Sequence, residues 1–441
     1  MKQEDFNIKS LGLPRFISPL NLSNVEGDGL IDYTDSRDRI LHNHDLEYVT
    51  SCFEKGEVPL SFEKSGPCEN LFFNPAATRA AIVTCGGLCP GINDVIRGIV
   101  FQLEGRYGVK KIFGIRYGFA GLTPDFDYPM VELNMDKVDE IQHNGGSILG
   151  SSRGAQDMSQ VVDTLERENI NILFCIGGDG TLKGAHAIVE EIAKRNLKIS
   201  VAGIPKTIDN DINFTDRSFG FETAFSIATN IIQVSHNEAK GYHNGIALIK
   251  LMGRDSGFIA AHAAMAQQDV NFVIVPEMDF DLHGDKGLFT ALRHRLEERH
   301  HAVIVVAEGA GQFLFENAYA GEDASGNLLH KDIGIFLRDA IIEEFHKQDF
   351  PISLKYIDPS YIIRSAAANP NDSLFCIRLA QDAVHAAMAG KTDFVVGNWD
   401  AEFILLPIPM ATKERKKIDL ESDFWGSVLG TTRQPSSLKN H

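Results

Sequence analysis

The chain has 441 residues, of which 44% are hydrophobic and 23% charged, and its formal net charge is -18. That length exceeds one compact core and points to two or three domains of an ordinary soluble globular protein. The acidic balance argues against nucleic acid or an acidic membrane as partner, and no apolar run is long enough to span a bilayer. Anionic substrates would need cations placed locally, because the overall field repels them.

The start, MKQEDFNIKS, has no basic segment followed by an apolar one, so no signal peptide is expected. The last residues, KNH, are no peroxisomal address, and a cytoplasmic location is expected. About 75 residues rich in Asn, Asp, Ser and Pro come first and read as an extension packed on a core that begins near Thr78. A pattern then recurs. Ala80-Ala81-Ile82-Val83-Thr84-Cys85 ends in Gly86-Gly87, and Ile92, Val95, Ile96, Ile99, Val100 and Leu103 follow at helical spacing. The run from Ile170 to Ile176 ends in Gly177-Gly178-Asp179-Gly180, and Leu182, Ala185, Ile188, Val189 and Ile192 mark the next helix face, beginning near Thr181. A third run, Ile199 to Ile204, leads into Pro205-Lys206-Thr207-Ile208-Asp209-Asn210-Asp211.

Further runs cover Gly245 to Leu251, Phe272 to Val275 and Ala302 to Ala307, the last followed by Glu308-Gly309. Strand, glycine turn and helix in repetition predict parallel sheets with crossover helices. Such strands are covered on both faces and read as continuous apolar runs. Ligands in these folds lie outside the carboxyl ends of the strands, where all of these glycine turns fall. The predicted class is α/β, with two doubly wound domains of largely parallel sheet and an N-terminal extension. The tail from Arg415, with Lys416, Lys417 and a later Pro-Ser-Ser, reads as a surface segment and a loose end. The six cysteines, Cys52, Cys68, Cys85, Cys89, Cys175 and Cys376, lack zinc-site spacing and read as reduced, buried thiols.

The turns carry different chemistry. Gly86-Gly87-Leu88-Cys89-Pro90-Gly91 has the glycine spacing of a phosphate loop but continues Ile92-Asn93 instead of Lys-Ser/Thr. It still aims backbone N–H groups and a helix N-terminus at a strand end, unless it is structural punctuation only. In Gly177-Gly178-Asp179-Gly180-Thr181 the glycines admit close backbone approach. Asp179 would repel phosphate directly, so it either holds Mg²⁺ that bridges phosphate oxygens or caps the helix. Asp209 and Asp211 lie two apart, which is loop chemistry, and Lys206 is expected to favour their ionised forms. The bland alternative is a solvated turn.

GGDGT, PKTIDND, LMGRDSG and AEGAGQ resemble, in order and spacing, the motifs of the phosphofructokinase family. The resemblance runs from about Arg79 to Gly397, and the extended N-terminus is similar to that of the longer members, some of which use ATP and others pyrophosphate. It implies that Asp209 is the general base towards the sugar 1-hydroxyl, that Thr207 and Ile208 share its substrate-contacting turn, and that Asp211 is a second carboxylate near the metal. Asp179 matches the magnesium ligand. Gly86, Tyr117, Arg153, Gly154, Gly178, Gly180 and Thr181 match nucleotide-binding positions. Met252, Gly253, Arg254, Glu308, Lys355, Tyr361 and Arg364 match sugar-phosphate contacts, and Lys206 and Arg254 join the catalytic set as cations. Short bacterial members carry histidine at Tyr361, arginine at Lys355, and at Gly245 an arginine that serves a neighbouring subunit.

The expected domains are 1–75 as extension, 76–220 with 365–400 as phosphoryl-donor domain, 221–364 as sugar-phosphate domain and 401–441 as C-terminal segment. The expected activity is ATP-dependent 6-phosphofructokinase, making fructose 1,6-bisphosphate from fructose 6-phosphate in glycolysis, with Mg²⁺, in a homodimer or homotetramer, as an allosteric enzyme. Gly180 favours ATP, since aspartate at this position goes with pyrophosphate use in the family. Lys206 is a residue that pyrophosphate users also carry, and a pyrophosphate-dependent enzyme is the alternative. A regulatory subunit without turnover would have lost Asp209 or Arg254; a NAD or lipid kinase would leave PKTIDND and YIIR unexplained.

Overall fold

A computed structural model describes residues 1–126, 128–315, 321 and 329–440. They divide into two compact units, one of Met1–Thr207, Ile212–Gly220 and Ser365–Glu414, the other of Ile208–Asp211, Phe221–Arg364 and Arg415–His441. The first unit opens with β1 (Lys9–Ser10), β2 (Phe16–Ile17), β3 (Arg39–Leu41), α1 (Leu46–Glu54), β4 (Ser61–Lys64) and β5 (Asn70–Leu71). It continues through β6 (Arg79–Thr84), α2 (Ile92–Val100), β7 (Lys111–Ile115), β8 (Val131–Leu133), α3 (Met158–Arg167), β9 (Ile172–Gly177), α4 (Asp179–Lys194) and β10 (Ser200–Pro205). The second unit holds α5 (Phe221–Lys240), β11 (Gly245–Leu251), α6 (Phe258–Gln267), β12 (Phe272–Ile274), α7 (Leu288–Arg299), β13 (His301–Ala307), α8 (Ile333–Lys347), β14 (Ser353–Ile357) and α9 (Ser360–Arg364). The chain returns to the first unit with α10 (Pro370–Met388), β15 (Lys391–Thr392), β16 (Phe394–Trp399) and β17 (Glu402–Pro407).

The first unit is built on a nine-stranded sheet in the order β3-β4-β17-β16-β10-β9-β6-β7-β8. Its middle, from β16 to β7, is parallel, and its flanks are antiparallel. The parallel strands are the continuous apolar runs of the sequence. Val83, Leu173, Cys175 and Val201 point to one face and pack with Val161, Leu165, Leu182 and Ile188 from α3 and α4. α10 starts where Asn369 accepts from the Asp372 N–H and Pro370 stands in the first turn; it packs on α2 and on β10 and β16. The N-terminal extension is part of this unit: β3 and β4 lengthen the sheet, and Phe6 and Phe62 are fully buried in the same core.

The second unit has a four-stranded, wholly parallel sheet in the order β12-β13-β11-β14. Its core takes in Leu248, Ile249, Ile304, Val305 and Leu337. The C-terminal tail is no loose end. Trp425, Val428 and Leu438 are buried in this core. The Gln434 side chain accepts from Val273 N–H at 2.7 Å and donates to Val273 C=O at 3.3 Å. None of the six cysteines forms a disulfide, and five are buried. Among the described residues no helix is long and apolar enough to cross a membrane.

Candidate active site

In the first unit β10, β9 and β6 are neighbours, so their carboxyl-end turns lie side by side. Gly86 has a φ of +84°, its N–H donates to Ser152 C=O at 3.0 Å, and its C=O accepts from Ser151 Oγ at 2.6 Å. The Lys206 ammonium is buried and donates to Gly87 C=O at 2.6 Å, while its own N–H donates to Gly177 C=O at 2.9 Å. A β-carbon on Gly86 would sit 3.5 Å from Lys206 Nζ, and one on Gly87 3.5 Å from Arg153 Nη2. The structure therefore brings Gly86, Arg153, Gly178 and Lys206 together.

α4 begins at Asp179, two residues before the sequence pattern suggests, with Gly178 at its N-cap and no side chain capping its first N–H groups. Asp179 is thus inside the first turn, and its carboxylate pairs with Lys183 Nζ at 2.9 Å. Gly177 is required by packing, because a β-carbon there would lie 2.2 Å from the buried Thr181 side chain. Gly180 is different. A β-carbon on it meets nothing within 4 Å, and its backbone is not left-handed, so its smallness serves the space in front of the helix. Uncapped N–H groups at a helix N-terminus are a ready anion site.

Tyr117 is held at a φ of +55°, its N–H donating to Leu149 C=O at 2.9 Å and its ring 4.7 Å from that of Tyr128. Gly154 also has a left-handed backbone, φ +104°, and is exposed with Arg153. Thr207 closes this part of the chain, its C=O accepting from Ser218 Oγ at 2.5 Å.

In the second unit the turns after β11 and β13 are laced together. Glu308 N–H donates to Leu251 C=O at 2.9 Å and Gly309 N–H to Gly253 C=O at 3.0 Å. A β-carbon on Gly309 would fall 1.7 Å from the Arg254 C=O, and Gly253 has a φ of +134°, so glycine is required at both. Asp209 is half-buried against this lacing, with its Oδ1 shut off from solvent. Its C=O accepts from Ser256 Oγ at 3.2 Å, and its carboxylate accepts from the Arg254 N–H. Burial first, then the carboxylates of Asp211 and Glu308, push its pKa up to about 8 against the pull of Arg254 and Arg364.

The sequence expectation that Lys206 favours the ionised form of Asp209 meets larger opposing effects. Desolvation and two neighbouring carboxylates outweigh the cations at Asp209. Asp211 is paired with Arg415 Nη1 at 3.1 Å, and the same nitrogen also bonds Asp255. Arg415 stands where the sequence suggests a loose tail, and Asp255 carries no role in the sequence reading. The only sequence signal for them is an acid inside LMGRDSG and a basic run after the last strand.

Arg364, at the end of α9, donates from Nε to Met252 Sδ at 3.1 Å and so joins the Asp209 group. Tyr361, on the same helix, is 84% exposed. Lys355 is not brought together with them. It stands in mid-β14, and its ammonium lies 5.6 Å from the ring of Tyr242, in the turn that precedes β11. That is the amino end of the sheet, whereas Met252 and Glu308 are at the carboxyl end. Ile208 packs against the second unit's core.

Parallel sheets with glycine turns, buried acids and cations at their carboxyl ends define a doubly wound α/β protein built to handle phosphorylated ligands. The family model described as Phosphofructokinase matches residues 79–387, and the chain belongs to that family. It is 49% identical to the ATP-dependent 6-phosphofructokinase of Borreliella burgdorferi over 99% of this chain and 98% of that protein. It is 44% identical to the enzyme of the same description from Amycolatopsis methanolica, over 99% and 96% of the two chains. In fold it resembles the pyrophosphate-dependent phosphofructokinase from Marinobacter aquaeolei, with a TM-score of 0.66 at 19% identity over 82% of this chain and 92% of that one.

Proposed function

We propose that this chain is an ATP-dependent 6-phosphofructokinase, transferring the γ-phosphoryl group of ATP to the 1-hydroxyl of fructose 6-phosphate in glycolysis. The full-length relatives at 49% and 44% identity, both ATP-dependent, support the donor over pyrophosphate. The observation that carries the chemistry is Asp209, a half-buried carboxylate with a raised proton affinity beside Arg254 and Arg364. A base with a pKa near the working pH is the efficient kind, better suited to an alcohol than a carboxylate of ordinary pKa near ~4.

In this reading Asp209 orients the 1-hydroxyl and takes its proton as the new bond forms. Arg254 and Arg364 offset the negative charge that collects on the transferring group and on the sugar phosphate. Glu308 and the Met252 turn contact the sugar. On the donor side, the Gly86 turn, Arg153 and the N-terminus of α4 bind phosphates through backbone and guanidinium groups, Tyr117 and Gly154 line the nucleoside, and Lys206 braces the Gly86–Gly87 turn. Thr207 belongs to the catalytic turn. Lys355, at the other end of its sheet, would serve the phosphate held by a second copy; that fits a homo-oligomer.

Among the described residues no group of three His, Cys, Asp or Glu could hold a metal. Mg²⁺ needs no such cluster, because it binds through one or two carboxylates together with substrate phosphates. Asp179 would hold it, and when bound the ion neutralises phosphate charge. Asp211, tied to Arg415, then acts by shaping the charge around Asp209 as much as by facing the ion. Cytoplasmic location and allosteric control belong to the same proposal. Assay of the purified enzyme with fructose 6-phosphate and either ATP or pyrophosphate tests it: ATP should be the efficient donor, and a preference for pyrophosphate would sink the reading of Gly180.

A further inference from the structure

β11 is an inner strand of the second unit's sheet, and each of its residues is apolar or glycine except Lys250. The Lys250 side chain is buried, two residues before Met252. Its ammonium lies 2.6 Å from Asp332 Oδ2 and 3.0 Å from Asp358 Oδ2. Each of these aspartates also starts a helix. Asp332 is the N-cap of α8, and its Oδ1 accepts from the Ile335 N–H at 3.0 Å. Asp358 Oδ1 accepts from the Ser360 N–H at 3.1 Å and from the Ser360 hydroxyl, where α9 begins. One buried cation therefore joins the starts of two helices to the end of a strand.

Burial is the largest single influence on each of the three groups, and it works against their charges. It is outweighed. The two carboxylates hold Lys250 above the ordinary lysine pKa, and Lys250 with the capping donors holds both acids below the ordinary carboxylate value. Stability alone does not call for such a bridge, since an apolar side chain of similar length would fill the space at least as well.

What the bridge fixes is α9. Five residues do not hold a helix in water unaided, and of these five only Ile363 is buried. α9 carries Tyr361 and Arg364, and Arg364 reaches Met252, just beyond Lys250 on the same strand end. We infer that Lys250 is a positioning residue for the sugar phosphate: through Asp358 it sets α9 in the place from which Arg364 and Tyr361 meet that phosphate. The inference rests on the reading of α9 as a sugar-phosphate element. Binding groups need to be held to within about 0.5 Å by such supports. Without the ammonium, two carboxylates would face each other and drive the start of α9 away from α8.

The test is steady-state kinetics of the full-length enzyme with fructose 6-phosphate and ATP, with Tm measured alongside. Lys250→Met should raise KM for fructose 6-phosphate about ten- to a hundredfold and leave KM for ATP within about twofold. The decisive comparison is between the two aspartates, whose side chains are matched in exposure, 36% for Asp332 and 34% for Asp358. Asparagine can still cap either helix, so each change removes one arm of the bridge alone. Asp358→Asn should raise KM for fructose 6-phosphate about five- to tenfold, and Asp332→Asn should leave it within about twofold. A bridge that only stabilised the unit would lower Tm in both variants without separating their KM values. Equal KM values for the two aspartate variants overturn the inference, as does a rise in KM for ATP that matches the rise for fructose 6-phosphate in Lys250→Met. Should Lys250→Met fail to fold, the aspartate variants decide alone. Arg364→Ala controls for the underlying reading. If KM for fructose 6-phosphate is unmoved there, α9 does not meet the sugar phosphate and the inference falls with that reading. If it rises there but not in Asp358→Asn, the role of Lys250 alone is overturned.

Discussion

In the first unit, Gly86, Gly178 and Gly180 stand at strand ends among backbone N–H groups, with open space before Gly180. In the second, Asp209 is half-buried, with its Oδ1 shut off from solvent and its carboxylate set among Asp211, Glu308, Arg254 and Arg364. Both regions are proposed to meet phosphate charge. The first does so with backbone dipoles, a guanidinium and an ammonium group. The second relies on an acid whose state is set by burial, so it is the pH-sensitive part of the molecule. Substitutions in the first unit should therefore change which donor binds, and substitutions in the second should change rate, pH profile and stability.

The largest expected effect falls on Asp209. Asp209→Asn removes the proton acceptor and should lower kcat by about 10²- to 10⁴-fold, with KM for fructose 6-phosphate little changed. The wild-type kcat/KM should rise with pH towards a plateau near the pKa of about 8, since the base form is needed and kcat/KM reports the free enzyme. Retention of a tenth of wild-type kcat would remove Asp209 from the role.

Gly180→Asp tests the other side of the contrast. The added carboxylate enters open space without backbone strain, so a folding defect is not expected. Like charge where an α-phosphate would lie should lower the ratio of ATP to pyrophosphate kcat/KM by about a hundredfold, roughly 2.7 kcal/mol. An unchanged ratio in steady-state assays would show that Gly180 does not select the donor.

Arg364→Ala should raise KM for fructose 6-phosphate by roughly ten- to a hundredfold, the loss of a charge-assisted contact of about 1.5–3 kcal/mol, and leave KM for ATP nearly unchanged. Lys355→Ala should have a smaller effect of the same kind, as a point-charge contact. Because Lys355 is proposed to act on a second copy, mixing Lys355→Ala with Arg364→Ala protein should restore part of the activity. No recovery in mixed oligomers would count against that assignment.

The sequence carries the two regions to different depths. Strands β6, β9, β10, β11 and β13 are legible because burial on both faces leaves continuous apolar runs, and the glycine turns because close backbone approach forces that residue type. The antiparallel flanks are not, since β3 and β4 are short and join the sheet only where β4 pairs with β17, far along the chain. The raised pKa of Asp209 is hidden for the same reason. Its causes, Glu308 and the burial itself, come together only through the lacing of the β11 and β13 turns. Arg415 is illegible too, because its partners, Asp211 and Asp255, lie more than 150 residues away.

The smallest expected effect is thermodynamic and isolates the burial of Asp209 from its chemistry. Its folded pKa lies above the unfolded value, so between about pH 4 and pH 8 the folded chain keeps a proton that the unfolded chain has lost. The stabilising side of that linkage is present at low pH and is lost as pH rises through the folded pKa. The carboxamide that replaces the carboxyl group in Asp209→Asn has no proton to lose. The Tm of that variant should match that of the wild type near pH 4, exceed it by a growing margin up to about pH 8, and hold a constant advantage of a few degrees beyond. The Arg254 N–H can still donate to the amide oxygen, so the turn keeps its anchor. Differential scanning fluorimetry of both proteins without ligands, from pH 5 to pH 9, makes the measurement. A Tm difference that stays flat, or that shrinks as pH rises, would mean that the carboxylate is already ionised in the empty enzyme. The two regions would then differ in residue type but not in their response to pH.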